Sequence, residues 1–120
     1  MIELDVNPGD IGIWNNCIKL HEEPLDAIVR REGWKNIPRV PIFELPKGYS
    51  HKYVLIDGHA RHNAAVKTIT LLPCALYAPG EIICVAKDKL APFSYASKSS
   101  QAGFYERILH MYKLFEKTTA

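Results

Sequence analysis

Tyr53-Val-Leu-Ile56 is a dense apolar run that stops at Asp57-Gly58, and from His59 to Thr68 the chain carries neither Pro nor Gly. Ala60, Ala64 and Ala65 recur there at helical spacing. The pattern predicts a buried strand that runs straight into a helix. A helix start presents unpaired backbone N–H groups and the positive end of the dipole, Gly58 admits close backbone approach, and Arg61 brings a planar fork of donors. Ile56-Asp57-Gly58-His59-Ala60-Arg61-His62-Asn63 therefore holds the parts of a phosphate cradle. In it Asp57 orients Arg61 or holds a divalent cation, and His59 donates a hydrogen bond or shuttles a proton. The same residues also read as an ordinary helix start, with Asp57 as cap, Gly58 in a tight turn, and Arg61 and His62 solvated.

Working outward, Val40, Ile42 and Phe43 to Leu45 predict a short strand, which Pro41 assigns to a sheet edge. Pro46-Lys-Gly48 then turns the chain, so this strand and Tyr53–Ile56 form a hairpin. Leu71 to Tyr77 returns as a strand, Ala78-Pro-Gly80 turns, and Glu81 to Ala86 reads as a further strand. Upstream, Ile18-Lys-Leu20 is a strand candidate, and Pro24 opens a helix running to Glu32 that Gly33 stops. Glu22 and Glu23 sit near the positive end of that helix. Lys87 to Ser100 reads as a loop broken by Pro92; its Ser94–Ser100 part, with Lys98, would serve as a lid or simply as a solvated loop. Gln101 to Lys117 predicts a helix with Phe104, Ile108, Met111 and Phe115 on one stripe, widened by Tyr105, Leu109 and Tyr112. The domain's own core is the expected cover for that stripe, ahead of a homodimer or protein partner.

The whole is expected to be a small mixed α+β sheet with packed helices, one domain over residues 1–120. Fifteen Lys plus Arg against thirteen Asp plus Glu give a net charge of +2, with 48% hydrophobic positions, a globular composition. Residues 41 to 120 carry 10 basic and 6 acidic side chains, a net +4 that suits phosphate ligands without forming a clustered nucleic-acid groove. Cys17, Cys74 and Cys84 show no Cys-x-x-Cys spacing, so neither a disulfide framework nor a zinc knuckle is expected, and Cys74 and Cys84 read as buried small hydrophobes. Met1 to Gly12 holds Glu3, Asp5, Pro8 and Asp10, unlike a secretory leader, and no apolar run is long enough to span a membrane. A cytoplasmic location is the expectation. His59 and His62 at i and i+3 offer a metal pair, a reading weaker than two surface histidines. Trp14 and Trp34 read as core or pocket walls, with an aromatic face near Gly58 able to stack on a base. Neither Gly-x-x-x-x-Gly-Lys nor Gly-x-Gly-x-x-Gly occurs.

Val54-Leu-Ile-Asp-Gly-His-Ala-Arg-His-Asn-Ala-Ala-Val66, followed by Leu71-Leu-Pro-Cys-Ala-Leu-Tyr77, resembles the ParB/sulfiredoxin superfamily, whose signature is strand, Gly-x-x-Arg, Ala-rich helix, then a strand carrying Pro. Ile18-Lys-Leu-His-Glu-Glu-Pro24 resembles its upstream strand and Pro-His-Glu type segment, so the likeness covers residues 18 to 78. It implies nucleotide phosphates, of ATP, ADP or CTP, on Gly58 and Arg61, with His59 and Ala60 in the variable places between. Sulfiredoxins put a reactive Cys where His59 stands, so sulfinic acid reduction is not expected. Partition ParB proteins add helix-turn-helix and dimerisation domains for which 120 residues leave no room, so a sequence-specific DNA clamp is not expected either.

The Asp-Gly-His-x-Arg form with Glu22-Glu23 is most similar to the free-serine kinase branch, from which Ala60 departs. By that likeness Glu22 or Glu23 would be the base, Asp57 would hold Mg²⁺, and residues 57–62 would bind phosphates during NTP hydrolysis or phosphoryl transfer. Their plainer role is to complement the helix dipole at Pro24. The rival readings are a DNA-binding ParB-like nuclease using the same cleft, and a non-catalytic nucleotide- or protein-binding module whose interface is the Phe104–Phe115 stripe.

Overall fold

The computed structural model describes residues 1–14, 24–84 and 101–119. Glu22, Glu23, the Ile18–Leu20 strand candidate, Cys17 and the segment 85–100 lie outside the described residues, as do the side chains of Cys84 and Phe104. In chain order the elements are β1 (Ile2–Val6), a 3-10 turn (Pro8–Asp10), β2 (Ile11–Gly12), α1 (Leu25–Glu32), β3 (Val40–Glu44), β4 (Tyr53–Leu55), α2 (His59–Thr68), β5 (Leu72–Leu76), a second 3-10 turn (Pro79–Cys84) and α3 (Gln101–Thr119). Among the described residues the strands make one mixed sheet in the order β1-β5-β3-β4-β2, a small α+β fold.

The hairpin forms as its sequence predicts, with β3 and β4 antiparallel and Phe43 opposite Val54. β5 joins the other side of β3 in parallel, so α2 serves as the crossover between β4 and β5. β3 is consequently central, against the edge position that Pro41 suggested. The sheet tolerates that proline because it lies just beyond the β3–β4 ladder, which ends at Ile42 opposite Leu55. There Ile56 N–H donates to the Pro41 carbonyl at 3.0 Å, and only the return bond that Pro cannot make is missing.

Side chains alternate between the two faces of the sheet, as the pleat demands. Val40, Ile42, Tyr53 and Leu55 pack on one side with Leu72, Cys74 and Ala65 of α2. Phe43, Leu45, Val54 and Ile56 pack on the other with Ile108, Leu109 and Tyr112 of α3. Among the described residues of the apolar stripe of α3, Ile108, Leu109 and Tyr112 are thus buried against the chain's own sheet, with Tyr105 and Met111 packed beside them, while Leu114 is exposed. Each fully buried aliphatic side chain contributes about 1.5–3 kcal/mol through apolar burial.

The strand expected over Glu81–Ala86 is instead a 3-10 turn as far as Cys84, and residues 85–86 lie outside the described residues. Pro79-Gly80 starts the turn, Glu81 N–H donates to the Ala78 carbonyl at 2.9 Å, and the Glu81 carboxylate accepts from Ala78 N–H at 3.2 Å. That carboxylate also pairs with the Met1 ammonium, so local hydrogen bonding outcompetes the β propensity of Ile82-Ile83. Cys74 is fully buried, and burial pushes its thiol up to about 12, which makes it the inert hydrophobe that its strand position suggests.

Candidate functional site

β4 delivers the chain to Asp57 and α2 begins one residue later. Gly58 takes the left-handed conformation, φ 102° and ψ 37°, which only glycine adopts without penalty. No side chain caps the helix here, because the Asp57 carboxylate turns back and accepts from Gly58 N–H at 2.8 Å. The first-turn amides of His59, Ala60 and Arg61 are therefore left for solvent or a ligand.

Arg61 does not reach out into solvent. Its Nη1 donates to the carbonyl oxygens of Pro38 at 3.0 Å and Arg39 at 3.3 Å, in the segment that enters β3. The guanidinium lies against Gly58, where an added Cβ would stand 3.0 Å from Nη2 and 3.1 Å from Nε. Two backbone carbonyls thus orient Arg61, while Nε and Nη2 carry no hydrogen bond among the described residues. Asp57 acts on Arg61 through its field: burial lowers the guanidinium's affinity for its proton, and the nearby carboxylate raises it.

His59 Nε2 is buried and has no hydrogen-bond partner among the described residues. The ring meets Trp14 edge-on, with centroids 4.9 Å apart at 89°. Burial brings the His59 pKa down to about 4, with Asp57 pulling the other way, so at neutral pH the imidazole is an uncharged hydrogen-bonding group rather than a proton store. Trp14 donates its indole N–H to the Leu55 carbonyl at 2.5 Å, which places an aromatic wall beside the start of α2. Trp34 is elsewhere, packed in the core of the opposite layer with its N–H donating to Thr70 Oγ1 at 3.1 Å.

The structure thus brings together Asp57, Gly58, His59, Ala60 and Arg61, and turns His62 away. His62 Nε2 donates to the Pro8 carbonyl at 2.9 Å, and burial lowers its pKa. His59 and His62 consequently do not pair as ligands, and among the described residues no three His, Cys, Asp or Glu side chains converge as a metal site. Asp57 remains as a single carboxylate. That donor set suits Mg²⁺, which binds through one or two carboxylates while phosphate oxygens and water complete its shell.

A second polar constellation escaped the sequence reading. Ser50 and His51, from the β3–β4 connection, meet Tyr112 and Glu116 of α3 in one hydrogen-bonded group. Four polar residues some sixty positions apart carry no joint spacing signal, so only the docking of α3 reveals them.

Among the described residues no helix is long and apolar enough to cross a membrane. No protein-family model matches the sequence, and no curated protein matches it either.

Proposed function

We propose that the chain binds the phosphates of a nucleotide at Asp57-Gly58-His59-Ala60-Arg61 and, with Mg²⁺, hydrolyses the nucleotide or transfers its terminal phosphoryl group. One observation carries this reading. An uncapped helix start lies beside a guanidinium that is already held in place, with Nε and Nη2 against the Cβ-less face of Gly58. Holding Arg61 by two carbonyls removes most of the ordering cost that a flexible side chain would incur on binding. The two donor sets are the kind that grip anionic oxygens and stabilise charge spread over a phosphoryl group in flight.

The order of strand, Gly58-x-x-Arg61, helix and a strand carrying Pro73 supports the likeness to the ParB/sulfiredoxin fold. In this reading the neutral His59 offers a hydrogen bond to a phosphate oxygen, and Trp14 beside it supplies a face for a base. Asp57 is the residue that would hold Mg²⁺, which supplies charge neutralisation between phosphate oxygens. Glu22 or Glu23 is the candidate base, taking a proton from the attacking water or hydroxyl.

The test is thermal stabilisation of the whole chain by ATP, ADP and CTP, each with and without Mg²⁺. A ligand at 100 times its dissociation constant adds about 2.7 kcal/mol. Stabilisation lost in Arg61→Ala supports phosphate binding, and turnover lost in Glu22→Ala or Glu23→Ala supports catalysis. Failure of every nucleotide overturns the reading, and salt-sensitive DNA binding without nucleotide preference would replace it with the nuclease one.

A further inference from the structure

Among the described residues the sheet ends on one side at β1, five residues long, and on the other at two-residue β2. β1 pairs with β5 at five successive positions, from Ile2 opposite Leu76 to Val6 opposite Leu72, with no bulge. Proline cannot donate, so Asp5 and Pro73 form a pair that exchanges no bonds, and the bonded pairs fall at Ile2–Leu76, Leu4–Cys74 and Val6–Leu72. The far side of β5 agrees. Tyr77 N–H donates to the Ile42 carbonyl of β3 at 3.0 Å, so alternation along the strand turns Cys74 and Leu76 towards β1. The backbone N–H and C=O groups of Glu3 and Asp5 therefore point away from β5, along the open edge. They carry no hydrogen bond to any described residue.

An edge of this kind is a template for another strand, and proteins that avoid such pairing place proline, a bulge or charge there. β1 has neither proline nor bulge; it has charge alone, from Glu3 and Asp5 on one face. Both carboxylates are more than half exposed and share one guanidinium, with Arg39 Nε 3.4 Å from Glu3 and Nη1 3.2 Å from Asp5. Arg39 Nη1 also donates to the Leu4 and Cys74 carbonyls at 3.3 and 3.1 Å, which holds it over the β1–β5 ladder rather than over the open side. Two carboxylates against one guanidinium leave a negative charge among these three residues. On the opposite face Leu4 and Val6 pack into the core, and Ile2 beside them is exposed.

We propose that β1 accepts, as a further strand of the sheet, an extended segment of another protein in which Lys or Arg alternates with apolar residues. The backbone of that segment bonds the outward groups of Glu3 and Asp5, and its basic side chains stand opposite the two carboxylates. Its apolar side chains, on the other face, extend the layer of Leu4 beside the exposed Ile2. A second copy of this chain is the poorer occupant, because antiparallel self-pairing centred on Leu4 sets Glu3 of each copy opposite Asp5 of the other. β5 and β3 lie between β1 and β4, so this surface is separate from the phosphate site and does not depend on it.

Calorimetric titration of the whole chain with three end-blocked peptides tests the proposal: Val-Lys-Val-Lys-Val, Val-Glu-Val-Glu-Val and the scramble Lys-Lys-Val-Val-Val. The alternating basic peptide is expected to bind saturably and the other two about tenfold or more weaker, the gap that two cross-strand charge pairs supply. When it binds, hydrogen exchange should slow at the amides of Glu3 and Asp5 and stay unchanged at Leu4, which the ladder already holds. Glu3→Pro deletes an outward N–H without removing a β1–β5 bond, and should abolish binding in protein whose fold is checked by circular dichroism. The double variant Glu3→Gln, Asp5→Asn keeps the whole backbone and should erase the preference for the basic peptide over the acidic one. No binding, equal binding of the three peptides, unchanged exchange at Glu3 and Asp5, or an undiminished preference in the double variant would overturn the proposal. A dimer of the parent chain that Glu3→Pro converts to monomer would overturn it in favour of a second copy.

Discussion

Arg61 folds back so closely on Gly58 that a methyl group on the glycine would stand 3.0 Å from Nη2, tighter than side chains normally tolerate. Gly58 also holds φ at +102°. Gly58→Ala therefore combines backbone strain with displacement of the guanidinium, and a loss of about 1–3 kcal/mol in urea unfolding is expected. Arg61→Lys should retain the fold yet fail to restore nucleotide binding, since a point ammonium cannot bond two carbonyls and still present a fork. Nucleotide affinity within about twofold of the parent in Arg61→Lys would refute the role given to the fork.

Folding stability should respond to acid through His59. Its folded pKa is about 4 against 6.5 for the free group, so the folded state favours the neutral ring. The unfolded chain binds more protons between those values, and the His59 contribution is fully present above pH 6.5 and lost as pH falls towards 4. His62, also lowered by burial, acts in the same direction. Urea midpoints measured from pH 7.5 to 4 should fall less steeply in His59→Gln than in the parent, and parallel curves would show that the ring is not held neutral.

Gly12 is fitted against a ring. A Cβ there would lie 2.6 Å from Cε2 and Cζ of Tyr112, whose side chain is almost wholly buried. Gly12→Ala should cost about 1–3 kcal/mol by overpacking, and combination with Tyr112→Leu should cost less than the two changes added together. Additive losses in the double-mutant cycle would mean that β2 and α3 do not press on each other.

Ile69 closes α2 at φ +54°, a left-handed conformation that costs a β-branched residue roughly 1–2 kcal/mol, and its side chain is 92% exposed. Ile69→Asn gives up almost no burial and should raise stability by about 0.5–1 kcal/mol. A lower urea midpoint in that variant would show that Ile69 has a packing role absent from the described contacts.

Local patterns carried much of the architecture. The helix after Gly58, the hairpin of β3 and β4, the strand at β5 and the amphipathic α3 all stand where periodicity and turn residues place them. β1 was missed although Ile2-Glu3-Leu4-Asp5-Val6 alternates, because an alternation beside a chain start predicts no partner until β5 pairs with it antiparallel. Two-residue β2 is shorter than any periodicity can register. The 3-10 turn at Pro79–Cys84 defeated a β-prone run because Glu81 bonds within its own turn and to the Met1 ammonium, some eighty residues away.

At the site, the sequence alone determined that Asp57, Gly58 and Arg61 would meet at a strand-to-helix junction, since five consecutive residues of one chain cannot stray far apart. Which direction each side chain takes was a tertiary decision. His62 was drawn off by the Pro8 carbonyl, Arg61 was anchored by Pro38 and Arg39, and Ser50, His51, Tyr112 and Glu116 were gathered by the docking of α3. Short-range propensity is written in neighbouring residues, whereas hydrogen-bond partners and cavities arise only when distant segments exclude water together.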